Sequence, residues 1–133
     1  MSKSAIYVAN TGSQVVPVDG TINLGGVVRR FGCGIQLSGS NITISEAGYY
    51  DVSVSITAAP TAADTVTATL LNNGVAVPGA TSSATAAAAG DPVPLSFESV
   101  VRVFCGATTG SLSIVLTGGD ATITNVAVVV SKM

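Results

Sequence analysis

The stretch Ala121-Thr-Ile-Thr-Asn-Val-Ala-Val-Val-Val-Ser131 carries the most information about the fold of this chain. Its first half alternates loosely, with Ile123 between two threonines, as in a β-strand that buries one face. From Val126 to Val130 every residue is apolar, so this half of the strand has two faces that avoid water. The sequence contains no amphipathic helix pattern that would cover the second face. We therefore expect another copy of the same chain to cover it.

Strand patterns recur along the whole sequence and predict an all-β fold. The 133 residues are rich in the strand-forming types Val, Thr, Ile and Ser, and 15 Gly mark turns between them. About eight to ten short strands, with turn signals every ~8–12 residues, predict a sandwich or a barrel. A chain of this length can bury a core of its own, and we expect a single jelly-roll domain over residues 1–133.

The longest regular pattern is the alternation from Tyr49 to Ala59. The residues expected on its buried face are Tyr50, Val52, Val54, Ile56 and Ala58. A hairpin turn is predicted at Asn72-Asn-Gly74, because Asn-Gly suits the turns that match strand twist. The returning strand, Val75 to Val77, is expected to end at Pro78-Gly79. Residues 80–90, rich in Ala, Ser and Thr, are expected to form a short strand and a loop.

Three stretches carry a resemblance to a known superfamily. They are Gly48-Tyr-Tyr-Asp-Val-Ser-Val-Ser-Ile56, Thr67-Ala-Thr-Leu-Leu-Asn-Asn-Gly-Val75 and Ile123-Thr-Asn-Val-Ala-Val-Val-Val130. In this order they resemble strands of the tumour-necrosis-factor-like jelly roll, which includes the heads of complement-type collagenous proteins and the caps of bacterial collagen-like proteins. The chain differs from the complement-type heads in having only three Phe and three Tyr. The whole sequence also resembles short head-fibre, decoration and fibre-tip proteins of phages and prophages.

The resemblance implies a two-sheet antiparallel jelly-roll sandwich that assembles as a homotrimer. One sheet then contains the first strand, the strands that start at Tyr49 and Pro94, and the last strand, and its outer face packs around the three-fold axis. The residues expected in the trimer interface are Ile6, Val8, Tyr49, Val126, Val128 and Val130. Ala127 and Val129 are the alternative, in case the last strand presents its other side.

Charge and residue types exclude several classes of function. Five Lys or Arg and seven Asp or Glu give a net charge of −2, so the chain has no basic footprint for nucleic acid. The absence of His removes the common general base and metal ligand. We therefore expect a protein that is not an enzyme, with no catalytic residue, no cofactor and no metal site. For Cys33 and Cys105, free buried thiols are favoured over one disulfide.

Two functions from different classes remain. The first is a structural component of a phage virion, either a capsid decoration, a head fibre or a fibre tip. The second is a trimeric recognition module that binds a cell-surface glycan or receptor through loops 60–64, 78–92 and 106–110. The candidate contact residues in these loops are Asp64, Thr81, Asp91 and Thr108. None of the three loops contains an aromatic residue, which favours the structural role.

The same sequence features give an expected location and set of partners. The N-terminus has no apolar run of signal-peptide length, and no segment is apolar over the length of a membrane span. We therefore expect a protein that is made in the host cytoplasm, located in the virion and not bound to membrane. Its expected partners are two further copies of itself, capsid or fibre proteins, and, for the second function, a host surface glycan.

Overall fold

The computed structural model describes residues 5–32, 34–62, 65–103 and 110–132. Within these residues the chain forms eleven β-strands and no helix, which confirms the predicted all-β class. The strands are β1 (Ala5–Asn10), β2 (Gln14–Val16), β3 (Gly26–Phe31), β4 (Ile35–Ser38), β5 (Asn41–Ile44), β6 (Gly48–Pro60), β7 (Thr65–Asn72), β8 (Val75–Thr85), β9 (Val93–Val103), β10 (Gly110–Thr117) and β11 (Ala121–Lys132). Cys33 and Cys105 lie outside the described residues.

The strands form two antiparallel sheets. Sheet A has the order β3-β1-β11-β6-β9, and β2 pairs with the start of β11; sheet B has the order β4-β5-β10-β7-β8. β1 pairs with β11 along its length, from Ala5 opposite Ser131 to Asn10 opposite Val126. The prediction that the first and last strands lie side by side, in one sheet with the Tyr49 and Pro94 strands, is confirmed.

Alternate residues of the two sheets meet between them and form the core. The five residues of β6 that were predicted to face inward are all buried. From sheet B the core receives Ile42, Ile44, Val66, Ala68, Leu70, Leu112, Ile114 and Leu116. Removing this aliphatic surface from water is the main favourable contribution to folding, and it uses only one face of each sheet. The outer faces are therefore free for other contacts.

Two glycine turns hold neighbouring strands in register. At the β7–β8 hairpin, Asn73 and Gly74 both have positive φ, 54° and 82°, as in the predicted turn that matches strand twist. Gly118, with φ 94°, lies at the start of the β10–β11 turn. A Cβ atom there would collide with the backbone carbonyl oxygen of Thr65, so only glycine fits this close approach.

β8 is longer than the sequence predicts, and the expectation that Pro78-Gly79 ends it is wrong. The strand runs through both residues to Thr85. β8 is an edge strand of sheet B, where the missing N–H of Pro78 is tolerated. The extra residues form a bulge, seen as a register shift opposite the segment Thr69–Leu71, and Gly79 supplies the positive φ of 80° within it. The following loop spans residues 86–92.

Candidate assembly surface

The outer face of sheet A carries two adjacent rows of side chains, defined by the strand pairing. The first row is Arg29, Tyr7, Val129, Ser53 and Glu98, on β3, β1, β11, β6 and β9 in turn. The second row is Phe31, Ala5, Ser131, Asp51 and Val100 on the same strands. In both rows the β6 position is polar, so the apolar residues on its two sides form separate surfaces.

We call the first of these surfaces the Tyr7 patch, which comprises Ala5, Tyr7, Arg29, Phe31 and Val129. Phe31 is 67% exposed and Val129 is 42% exposed, although both are large and apolar. A depression of about 320 Å³ opens among these residues, between β1, β3 and β11. Exposed apolar side chains around a depression, next to Arg, are typical of a surface that binds another protein.

We call the second surface the Val100 patch, which comprises Tyr49, Glu98, Val100 and Arg102 of sheet A together with the neighbouring Val75 of β8, at the edge of sheet B. Val100 is 52% exposed and Val75 is 69% exposed. The Arg102 guanidinium carbon lies 5.6 Å from the centre of the Tyr49 ring, within the range of a cation–π contact. A depression of about 240 Å³ lies between β9 and the start of β8, with Val75, Val100 and Arg102 in its lining.

A polar strip on β6 separates the two patches. Its outward side chains are Asp51, Ser53, Ser55 and Thr57. The strip makes the centre of the face costly to bury without new hydrogen bonds. The two patches on either side can be buried at lower cost, because most of their surface is apolar.

Five predicted interface residues lie in the core of the chain itself. They are Ile6, Val8, Val126, Val128 and Val130. Each is at most 1% exposed, because β1 and β11 direct these side chains toward sheet B, so the prediction that they face outward is wrong. The alternative residues Ala127 and Val129 lie on the outer face, as does the exposed Tyr49.

Contacts at one end of sheet A fix the position of β11 relative to β6. The Tyr50 hydroxyl donates a hydrogen bond of 2.8 Å to the carbonyl oxygen of Glu46. Nζ of Lys132 lies 3.3 Å from Oε2 of Glu46 in an ion pair. Burial raises the pKa of Tyr50 above its ordinary value, and the negative charge of Glu46 adds to this rise. These contacts hold the last residues of β11 and thereby the register of Val129.

The four loop residues predicted to contact a partner do not form one site. Asp64 and Thr108 lie outside the described residues. Thr81 belongs to β8, and its hydroxyl lies 3.3 Å from that of Thr69, so its assignment to a loop is wrong. Asp91 is exposed in the loop between β8 and β9.

The connections after β6, β8 and β10 meet at one end of the sandwich. Gly90 donates a backbone hydrogen bond to Pro60, and Thr61 donates one to Asp120. The carboxylate of Asp120 accepts a 2.7 Å hydrogen bond from the Val18 amide. β9 ends at the opposite end of the sandwich, where Val103 pairs with Gly48; residues 106–109 of the third predicted loop lie outside the described residues.

The outer face of sheet B differs in character from that of sheet A. Hydroxyl groups pair across β7 and β8 in the sequence Thr65–Thr85, Thr67–Ser83 and Thr69–Thr81, at 2.7, 2.8 and 3.3 Å. Paired hydroxyls also keep lone pairs for water, so this face is suited to solvent. The outer face of sheet A, by contrast, carries exposed large apolar side chains such as Tyr7, Phe31 and Val129.

Sequence reasoning missed most of the two patches. Tyr7, Phe31 and Val100 were not among the predicted interface residues. For Val100 the sequence did contain an indication. Val100 alternates with the charged Glu98 and Arg102, so the three side chains lie on the same face of β9, and the charges mark this face as the outer one. For Phe31 there was none, because all residues of β3 are exposed and no alternation marks a face.

Other kinds of site are not found in the part of the chain that the structure describes. There, no group of three or more His, Cys, Asp or Glu side chains is placed to hold a metal ion. Among the same residues, no helix is long and apolar enough to cross a membrane.

Comparison with solved structures shows that the fold is the tumour-necrosis-factor-like jelly roll that the sequence predicts. Murine APRIL superimposes with a TM-score of 0.73, at 11% identity over 99% of this chain and 100% of that chain. The globular domain of zebrafish complement 1qA gives 0.68, at 9% identity over 97% and 94%. PRD1 vertex protein P5 gives 0.59, at 11% identity over 98% and 96%. The sequence matches no protein-family model and no curated protein.

Proposed function

We propose that the chain is a structural subunit that assembles as a homotrimer on a phage virion, as a capsid decoration, head-fibre or fibre-tip protein. The observation that carries this proposal is the concentration of exposed apolar side chains on the outer face of sheet A. Tyr7, Phe31 and Val129 lie together there, whereas the outer face of sheet B is covered with hydroxyls. Only one of the two faces is therefore suited to contact with other copies.

The apolar surface is large enough to favour association. Fully burying a side chain such as Val or Phe contributes about 1.5–3 kcal/mol relative to leaving it exposed. Each copy in a ring contributes the exposed part of five such side chains, Tyr7, Phe31, Val75, Val100 and Val129. Their combined burial is comparable with the entropic cost of association, about 4–15 kcal/mol. The resemblance to the tumour-necrosis-factor-like jelly roll implies that the ring contains three copies.

Two observations support a role in a virion. Charged residues make up only 9% of the sequence, against roughly a quarter in ordinary soluble domains, which suits a subunit whose surfaces are covered by neighbours. In addition, PRD1 vertex protein P5 shares the fold, and its name places that protein in a particle. The proposed partners are thus the chain's own copies and a capsid or fibre protein.

We propose attachment to a particle protein and not recognition of a glycan. Protein sites for glycans usually include aromatic side chains on which a sugar ring packs. The loop of residues 86–92 and the turn of residues 118–120 contain no aromatic residue. We also propose that the protein is not an enzyme; the lack of His in the sequence, the common general base, supports this.

The oligomeric state is tested by size-exclusion chromatography with light scattering. The expected mass is about 39 kDa, three times the 13.0 kDa of one chain. A 13.0 kDa species at all concentrations would contradict the proposed assembly.

The virion assignment is tested on particles. Virus-like particles are purified from cultures of the source organism on a density gradient, and their proteins are identified by mass spectrometry. We expect the chain in the particle fraction, and labelling by an antibody against it on the particle surface. Recovery only as free protein, with particles that lack the chain, would contradict the virion role and leave the trimer unaffected.

A further inference from the structure

We propose that copies of this chain bind head to tail: the Tyr7 patch of one copy contacts the Val100 patch of the next, with Arg29 paired to Glu98 of the next copy. The inference rests on the self-association proposed above and specifies its partner surfaces. Neither Arg29 nor Glu98 has an ion-pair partner within the described part of the chain. They end the same row of side chains, on opposite margins of sheet A.

The two charges cannot meet within one chain. Four strand spacings separate β3 from β9, which corresponds to about 19 Å at ~4.8 Å per spacing. A second copy can bring its β9 margin to the β3 margin of the first. In that arrangement Arg29, at the β3 margin of the Tyr7 patch, faces the β9 margin of the next copy, which carries Glu98. Opposite charges across a contact favour the correct partner surface.

A buried acceptor in the depression beside the Val100 patch supports the same contact. Oδ1 of Asn72 is buried and has no hydrogen-bond partner among the described residues. Asn72 lines the depression between β9 and the start of β8. Leaving such an atom unpaired costs about 1–3 kcal/mol. The Tyr7 patch carries the donors that would satisfy it, the Tyr7 hydroxyl and the Arg29 guanidinium.

Symmetric face-to-face pairing fits the surface less well. Pairing of two Tyr7 patches would bring the arginines of both copies together, and like charges across a contact are unfavourable. Pairing of whole sheet A faces would bury the polar strip that includes Asp51 and Ser53. A contact between two different patches closes into a ring when the rotation between copies allows it. Each copy in the ring then uses both of its patches.

The charge pair is tested by reversal. Arg29→Glu and Glu98→Arg are each expected to weaken assembly by about tenfold or more, measured by analytical ultracentrifugation. The double variant restores the opposite charges and should assemble within about threefold of the original chain. Asp91→Arg is the matched control for Glu98→Arg, because it reverses an exposed acidic side chain in the loop between β8 and β9, outside both patches. The proposal is overturned if the double variant assembles no better than the weaker single variant, or if Asp91→Arg weakens assembly as much as Glu98→Arg.

A mixing experiment tests the head-to-tail arrangement. Val129→Asp damages only the Tyr7 patch, and Val100→Asp damages only the Val100 patch. Each variant alone should be a monomer, and a 1:1 mixture should form a complex of two chains, since one intact patch of each kind remains. A dimer of either variant alone, or no complex in the mixture, overturns the inference.

The failure of this inference and that of the proposed function are distinguishable. If the unaltered chain forms a trimer but the mixture forms no dimer, only the head-to-tail contact is wrong. If the unaltered chain is a monomer, both proposals fail. The charge-reversal variants keep the test decisive if either aspartate variant does not fold alone, because they replace one exposed charged side chain by another and add no charge to an apolar position.

Discussion

Two adjacent valines of β11 should lose different amounts of stability when each is replaced by alanine. Val128 is 1% exposed and lies between Val8 and Val54 in the core, whereas Val129 is on the outer face of sheet A. Val128→Ala removes two buried carbon atoms, worth about 1.6 kcal/mol at ~0.8 kcal/mol each. The cavity that remains raises the loss to about 2–3 kcal/mol. Val129→Ala removes the same atoms from a half-exposed side chain, and within one subunit it should cost less than about 1 kcal/mol.

The two losses also differ in their dependence on concentration. Urea unfolding is measured at several chain concentrations, with circular dichroism as the signal and light scattering to follow assembly. The loss for Val128→Ala should be present at all concentrations, because it arises within the subunit. The loss for Val129→Ala should grow where copies associate, because that side chain is buried only between copies. If Val128→Ala costs less than about 0.5 kcal/mol, or if both losses are equal in the monomer, the assignment of the two faces is refuted.

Three further predictions concern stability. Burial raises the pKa of Tyr50 above 10.0, so the unfolded chain loses this proton at a lower pH than the folded chain. The free energy of unfolding should therefore fall above pH 10, by up to ~1.4 kcal/mol per pH unit. Urea titrations at several pH values should show that Tyr50→Phe removes this part of the fall. Gly118→Ala should lower the free energy of unfolding by more than ~2 kcal/mol in thermal unfolding, because its φ is positive and the new Cβ would collide with backbone. Gly79→Ala has a positive φ but open space around the new Cβ, and it should lower that free energy by only ~1 kcal/mol. Equal losses would contradict the role of the close approach at Gly118. Asp120→Ala should lower the free energy of unfolding by about 1–2 kcal/mol, because the hydrogen bond from the Val18 amide is lost. Asp120→Asn should lower it less, because the amide side chain keeps an acceptor oxygen. Identical melting temperatures for the two variants would count against this contact.

The sequence predicts the faces of a strand where polar residues mark the outside. On β6 the outward positions hold Asp51, Ser53 and Ser55, so the inward set was predicted correctly. On β11 both faces are apolar from Val126 onward, and alternation then carries no information about which face is inside. Lys132, the single charge of β11, has the same parity as the buried valines and favours the wrong face. Pairing with β6, as in Val128 opposite Val54, decides the question.

Non-local pairing explains the other differences. Proline often ends a strand, because it has no N–H for the sheet hydrogen bonds. Pro78 does not end β8, because β8 is an edge strand and its outer side makes no hydrogen bonds to another strand. The Tyr7 patch depends on β3 lying beside β1, with Arg29 opposite Tyr7. Their pairing follows from the path of the intervening chain, and no local pattern around either strand indicates it. The sequence thus predicts which strands share sheet A, and the pairing specifies which of their side chains lie on its outer face.

The pairing of Ala5 with Ser131 has a practical consequence for engineering. Directly opposed residues of antiparallel strands are separated by about 5 Å between Cα atoms, so in an engineered chain a linker of a few amino acids could join Ser131 to Ala5. New ends could then be opened among the exposed residues 87–89 of the loop between β8 and β9. Such a circular permutant would keep every strand ladder, and it would allow cargo to be fused in a loop that contains no residue of the Tyr7 or Val100 patch.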